Sequence, residues 1–128
     1  MAHATASIGT TNYETSITTG HHRLKADEGP DLGGKDSGPA PYDILVSALG
    51  ACTVITLRMY AERKKWPVEA VHADVRFVRE GENQHIDRRL RFEGNVDQEQ
   101  KKRMAEIAER TPVTLTLKRG LEIRTTLA

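Results

Sequence analysis

The chain has 128 residues, 38% hydrophobic and 29% charged, with a formal net charge of +1. That is room for one domain around one core, and so even a charge balance supplies no general attraction for nucleic acid or an anionic membrane. One cysteine, Cys52, excludes an internal disulfide framework and fits a reducing compartment.

The opening Met-Ala-His-Ala-Thr-Ala-Ser has neither the charged nor the apolar stretch of a secretory signal, so a cytoplasmic protein is expected. Residues 3–8 and 12–19 are rich in Thr, Ser and Ile and read as two strands joined by a turn; His22 to Ala26 reads as a third. Residues 27–40 then carry four glycines and two prolines, a loop longer than the usual connection and therefore a candidate to line a site.

The next stretch organises the chain. From Ile44 to Leu57 it runs fourteen residues without a charge, too few to span a bilayer and suited to a core helix. Pro41 fits its first turn; Arg58, Arg63, Lys64 and Lys65 crowd its end, and Pro67 stops it. One helix over 41–65 is expected, apolar all round and hence buried all round.

Beyond Pro67 the period changes to two. Ala73, Val75 and Phe77 alternate with polar residues, as do Ile86, Leu90 and Phe92 across a turn at Glu80–Asn83, marking antiparallel strands with one wet face. Arg88 breaks the inner parity and is expected at an edge or near a partner's surface. Asp97 with Gln100 forms a capping-box pattern for a second helix, and Thr111-Pro112 reads as the N-cap and first turn of a third. Leu121, Ile123, Thr125 and Leu127 alternate with polar residues in a last strand. The basic runs Arg63–Lys65 and Lys101–Arg103 lie beside acids and read as solvated helix faces.

The order is βββ-α-ββ-αα-β in a single α+β domain over 1–128: strands in 1–26, the loop 27–40, the central helix 41–65 and a β/α part 66–128. Six short strands and two modest helices supply roughly one layer of cover for the central helix. A second copy, in an extensive and intertwined two-fold homodimer, is the simplest further cover.

The run from Gly38 to Ala61 resembles the central helix of the OsmC/Ohr family, as does Arg63-Lys-Lys-Trp-Pro67 after it. His22 to Glu28 and Leu32-Gly-Gly34 resemble that family's loop, and Ile107 to Leu117 its C-terminal signature, so the resemblance spans nearly the whole chain in the same order. It implies antiparallel sheets wrapped around central helices, an intertwined homodimer with two sites at the subunit interface, and thiol-dependent reduction of organic hydroperoxides.

Carried over residue by residue, the resemblance places Cys52 at the peroxidatic cysteine. Thr111, before Pro112-Val113, stands where the resolving cysteine is expected. The glutamate is expected at Tyr42, with Asp43 the neighbouring acid, and the arginine in the first two strands, where none precedes Arg23. Each residue also has a plainer reading. Cys52 in apolar company is a small hydrophobe, Thr111 a helix cap, Asp43 a complement to a helix N-terminus and Arg23 an exposed charge. The expected function is therefore hydroperoxide chemistry at Cys52 with an external thiol reductant. The alternative is a non-catalytic small-ligand or interaction module on the same scaffold, its cleft lined by Tyr42, Cys52, Met59 and the 27–40 loop and taking an apolar compound. His3, His21, His22, His72 and His85 show no metal-ligand spacing and the glycines match no phosphate-binding fingerprint, so neither metal nor cofactor is expected; nor is a nucleic acid or a membrane.

Overall fold

The computed structural model describes residues 2–128; Met1, with which the N-terminal segment opens, lies outside them. Their elements run βββ-α-ββ-αα, an α+β arrangement of antiparallel strands and three α-helices. The chain divides into two compact units, Met1–Leu45 and Val46–Ala128, with the boundary inside the first helix.

The first unit holds a three-stranded antiparallel sheet of β1 (Thr5–Ile8), β2 (Thr15–Thr19) and β3 (His22–Ala26), in that order. Ile8 pairs with Thr15, and Thr19 with His22 across Gly20, whose φ of 59° suits glycine. The loop after β3 is folded around one carboxylate. Asp27, only 2% exposed, accepts hydrogen bonds from the main-chain N–H groups of Tyr13 (3.1 Å), Glu28 (2.7 Å), Lys35 (3.2 Å) and Ser37 (3.1 Å), and from the Ser37 hydroxyl (2.7 Å). The Ser37 hydroxyl, followed by the main-chain N–H groups of Ser37, Glu28 and Tyr13, holds the Asp27 carboxyl far below the usual carboxylate range against the opposing effect of burial. The same closeness explains Gly34: a Cβ there would lie 2.0 Å from the Glu28 carbonyl oxygen.

Helix α1 (Pro41–Lys64) starts at the proline that suits a first turn. The Asp43 carboxylate accepts from the Ala40 N–H at 3.3 Å, the plainer of its two expected roles. The helix ends one residue before the expected Lys65, which adopts φ 59° while Trp66 N–H bonds back to the Ala61 carbonyl at 2.9 Å.

In the second unit, β4 (Val68–Glu80) and β5 (Asn83–Gly94) form a long hairpin with Glu80 paired to Asn83. Val71, Ala73, Val75 and Phe77 pair with Phe92, Leu90, Arg88 and Ile86 on the inner face, as the alternation requires. Helix α2 (Gln98–Ala108) carries the full capping box between Asp97 and Gln100, and α3 (Pro112–Arg119) follows. The core joins Leu57, Tyr60 and Ala61 of α1 to Val68, Met104 and Ala108, with Leu57 and Met104 fully buried.

One expectation is corrected. The last strand does not form: residues 120–128 carry no strand or helix, and Leu121, Ile123 and Leu127 are 73%, 87% and 99% exposed. Alternation supplies an apolar face, but a strand also needs a neighbour for its N–H and C=O groups, which this chain does not bring to that segment. Within one chain the central helix is covered along a single stripe. Leu49, Thr53, Leu57, Tyr60 and Ala61 form one buried stripe, while Ile55 and Met59 are 53% and 61% exposed. By length and composition alone α1 could cross a membrane, with 28% of its most apolar window buried. Its buried stripe belongs to the core just described.

Candidate functional site

Cys52 lies halfway along α1 as a half-buried free thiol. Helical spacing puts it on one face with Ala48, Thr56 and Met59, beside the buried stripe rather than in it. The next residue, Thr53, is fully buried and donates its hydroxyl hydrogen to the Leu49 carbonyl at 2.7 Å. A Thr bonded back to the preceding turn keeps its remaining lone pairs available.

Those lone pairs meet Arg88. The Arg88 side chain, 10% exposed, comes from the inner face of β5. One terminal nitrogen donates to Thr53 Oγ1 (2.9 Å) and Thr114 Oγ1 (2.8 Å), the other to the Ala108 carbonyl (2.8 Å) and Glu109 Oε2 (3.1 Å). A guanidinium offers donors in a planar fork, so one side chain ties α1, the end of α2 and α3 together. Glu109 also accepts from Lys118 Nζ at 2.7 Å. The Lys118 hydrogen bond, supported by Arg88, lowers the Glu109 carboxyl below its ordinary range.

Thr111 belongs to this network. It occupies the N-cap of α3 in an extended conformation, but its hydroxyl makes no capping bond to the helix backbone. It is fully buried and shares a 2.6 Å hydrogen bond with Thr114 Oγ1. Beside the network a cleft of about 600 Å³ opens between Leu49, Phe77, Ile86 and Leu117.

The structure thus joins Thr111 to Thr53, the neighbour of Cys52, through Thr114 and Arg88. Arg23 is exposed on β3, opposite Thr18, and Tyr42 is 48% exposed in the first turn of α1. Met59 lines a separate recess of about 480 Å³ with Val54, Ile55, Arg58, Glu62 and Val71. The 27–40 loop is organised by Asp27, whose role sequence reasoning missed. The pairing of Asp27 with Ser37 ten residues later was its only trace. Arg88 was visible as an apolar-parity violation, but its meeting with the hydroxyls of Thr53 and Thr114 was not. Among the described residues no three His, Cys, Asp or Glu side chains gather as a metal would need.

The profile of the family described as OsmC-like protein matches residues 34–126, so the chain belongs to that family. Among solved structures it is similar to an OsmC-like protein from Mycoplasma pneumoniae, at 17% identity and a TM-score of 0.80, covering 92% of this chain and 87% of that one. It is also similar to the organic hydroperoxide resistance protein OsmC from Legionella pneumophila, at 19% identity and a TM-score of 0.70, covering 92% and 89%. An organic hydroperoxide resistance protein from Elizabethkingia anophelis aligns at 21% identity with a TM-score of 0.66, covering 91% and 87%. No curated protein sequence matches the chain significantly.

Proposed function

We propose that this chain reduces organic hydroperoxides through Cys52, using an external thiol. The observation that carries this reading is a free, half-buried thiol in the middle of the central helix, in a chain of the OsmC-like family. Two of the similar structures are organic hydroperoxide resistance proteins, which agrees with it.

The Cys52 thiolate attacks the distal peroxide oxygen; the O–O bond breaks, sulfur is oxidised to a sulfenic acid, and the alkoxide leaves and takes a proton to become the alcohol. With Thr111 in place of a second cysteine, an external thiol condenses with the sulfenic acid and releases water. A second external thiol then displaces Cys52 and carries the oxidised sulfur away as a disulfide. Cys52→Ser should abolish dithiol-dependent peroxide loss, and trapping with a dicarbonyl reagent should label the wild-type sulfenic acid only. An unchanged rate in the serine variant would sink the proposal.

A second reading rests on Thr111. Its hydroxyl is satisfied within a buried network that includes no thiol, which favours a binding module whose cleft takes an apolar compound. The serine variant separates the two readings, since a binding module loses nothing with the thiol.

The protein acts as a homodimer in this proposal. Ile55 and Met59 on α1, together with the strand-patterned tail, are apolar surface that a second copy would cover. Light scattering should give twice the chain mass at micromolar concentration, and removal of residues 120–128 should shift the population toward monomer.

A further inference from the structure

Two lengths of backbone in the second unit lack a neighbour. Strand β4 pairs with β5 along one edge, and its other edge meets no strand among the described residues. The tail after α3 forms no element, although 121–127 alternate apolar and polar as a strand does and contain no proline. An open edge is a template for a further strand, and a strand-patterned tail is what such a template takes.

The two fit in one register. Glu80 and Asn83 close the β4–β5 turn as a hydrogen-bonded pair, so Val71, Ala73 and Val75 turn their N–H and C=O groups away from β5, toward the open edge. Their side chains lie on the inner face, and those of His72, Asp74 and Arg76 on the outer. Two recesses separate this edge from α1 on the inner side. One of about 440 Å³ is lined by Gly50, Ala51, Val54, Ala73 and Val75 among others, the second, of about 480 Å³, by Ile55, Met59 and Val71 among others. An antiparallel tail with Ile123 opposite Val75 and Leu127 opposite Val71 turns its apolar face to both recesses.

Charge then selects that register from its neighbours. On the outer face it sets Arg124 opposite Asp74 and Glu122 opposite Arg76. These are non-hydrogen-bonded pairs, in which side chains come closest. Sliding the tail by two residues keeps its apolar face inward but brings Glu122 opposite Asp74 in one direction and Arg124 opposite Arg76 in the other. Like charges directly opposite are destabilising, so both slips are disfavoured. Strand β5 continues the alternation of sign, with Arg89 opposite Asp74 and Asp87 opposite Arg76.

We infer that residues 121–127 of one copy add antiparallel to the open β4 edge of a second copy, with Arg124 opposite Asp74 and Glu122 opposite Arg76. The inference rests on the homodimer reading above and specifies a surface that holds it. In a two-fold pair each copy gives one tail and receives one.

Cross-linking of the full chain tests the register. In a Cys52→Ser background, His72→Cys is combined with Thr126→Cys, positions that face each other across the proposed pair at a Cα separation of about 4.5 Å, within reach of a disulfide. Air oxidation should join two chains, seen as a dimer on a non-reducing gel, whereas Asp74→Cys with Thr126→Cys should cross-link about tenfold less. Separately, Arg124→Glu should raise the dimer dissociation constant about tenfold, through two like-charge contacts per dimer, with the fold unchanged by circular dichroism. A dimer by light scattering that gives no His72–Thr126 cross-link overturns the pairing and leaves the homodimer standing; a monomer overturns both. A disulfide within one chain, or equal cross-linking in the shifted pair, also overturns the pairing.

Discussion

Asp27 in the first unit and Arg88 in the second are both withdrawn from water, 2% exposed as a residue and 10% exposed as a side chain respectively. Asp27 is met mainly by main-chain N–H groups, three of them from the loop that follows it in sequence. Arg88 is met by two threonine hydroxyls, one carbonyl and one carboxylate from three helical segments up to 35 residues away. A charge held by local backbone sets the shape of a loop. A charge held by distant side chains sets how helices meet. The candidate thiol lies next to the second kind, so the geometry around Cys52 depends on long-range packing more than on its own helix.

The largest effect that would break this comparison is at Arg88. Arg88→Met keeps the apolar stem but removes the guanidinium donors to the Thr53 and Thr114 hydroxyls, the Ala108 carbonyl and Glu109, of which Glu109 keeps Lys118 and the Ala108 carbonyl keeps the Thr114 hydroxyl. Stability should fall by about 3 kcal/mol in urea denaturation, and Arg88→Lys should recover only part, because one ammonium cannot reproduce the planar fork. A loss below about 0.5 kcal/mol would mean that water replaces the guanidinium without penalty.

A smaller effect is expected in the loop. Gly34→Ala forces a methyl group against the Glu28 carbonyl, so the backbone around Asp27 must shift, at a cost on the order of 2 kcal/mol. Increased amide exchange at Lys35 and Ser37, whose N–H groups face Asp27, would localise the damage there.

The subtlest effect concerns pH. Asp27 has a depressed folded-state pKa, so its contribution is present above the unfolded carboxylate value of about 4 and is lost as pH falls through the lower folded value. Asp27→Asn keeps one acceptor oxygen but not the charge. The stability gap between wild type and variant should be widest near neutrality and narrow steadily below about pH 4. A gap constant from pH 7 to pH 2 would show that the charge contributes nothing.

Much of the architecture was legible in residue order. Pro41 and Pro67 bracket α1, Asp97 and Gln100 form the capping box that opens α2, and the period-two runs on either side of Gly81 become β4 and β5. These signals are local: a cap, a proline or an alternation acts within a few residues of itself. The tail reads as a strand in the sequence because its alternation is local too, but pairing is not. Arg88 shows the same limit from the other side. Its position on the inner face could be counted, whereas its partners could not, since Thr53, Thr114 and Glu109 are near it only after the helices have packed.

Sequence alone therefore determined the element order as far as α3, the ends of the helices to within a residue and the inward faces of the hairpin, because caps and periodicity are properties of neighbouring residues. It also placed one cysteine in the middle of an uncharged helix. Tertiary structure decided that Thr111 shares a buried network with Thr53 through Thr114 and Arg88, and that Asp27 gathers a loop around itself. Each of these depends on which distant groups meet away from water, where every donor and acceptor must find a partner, and chain order does not specify such meetings.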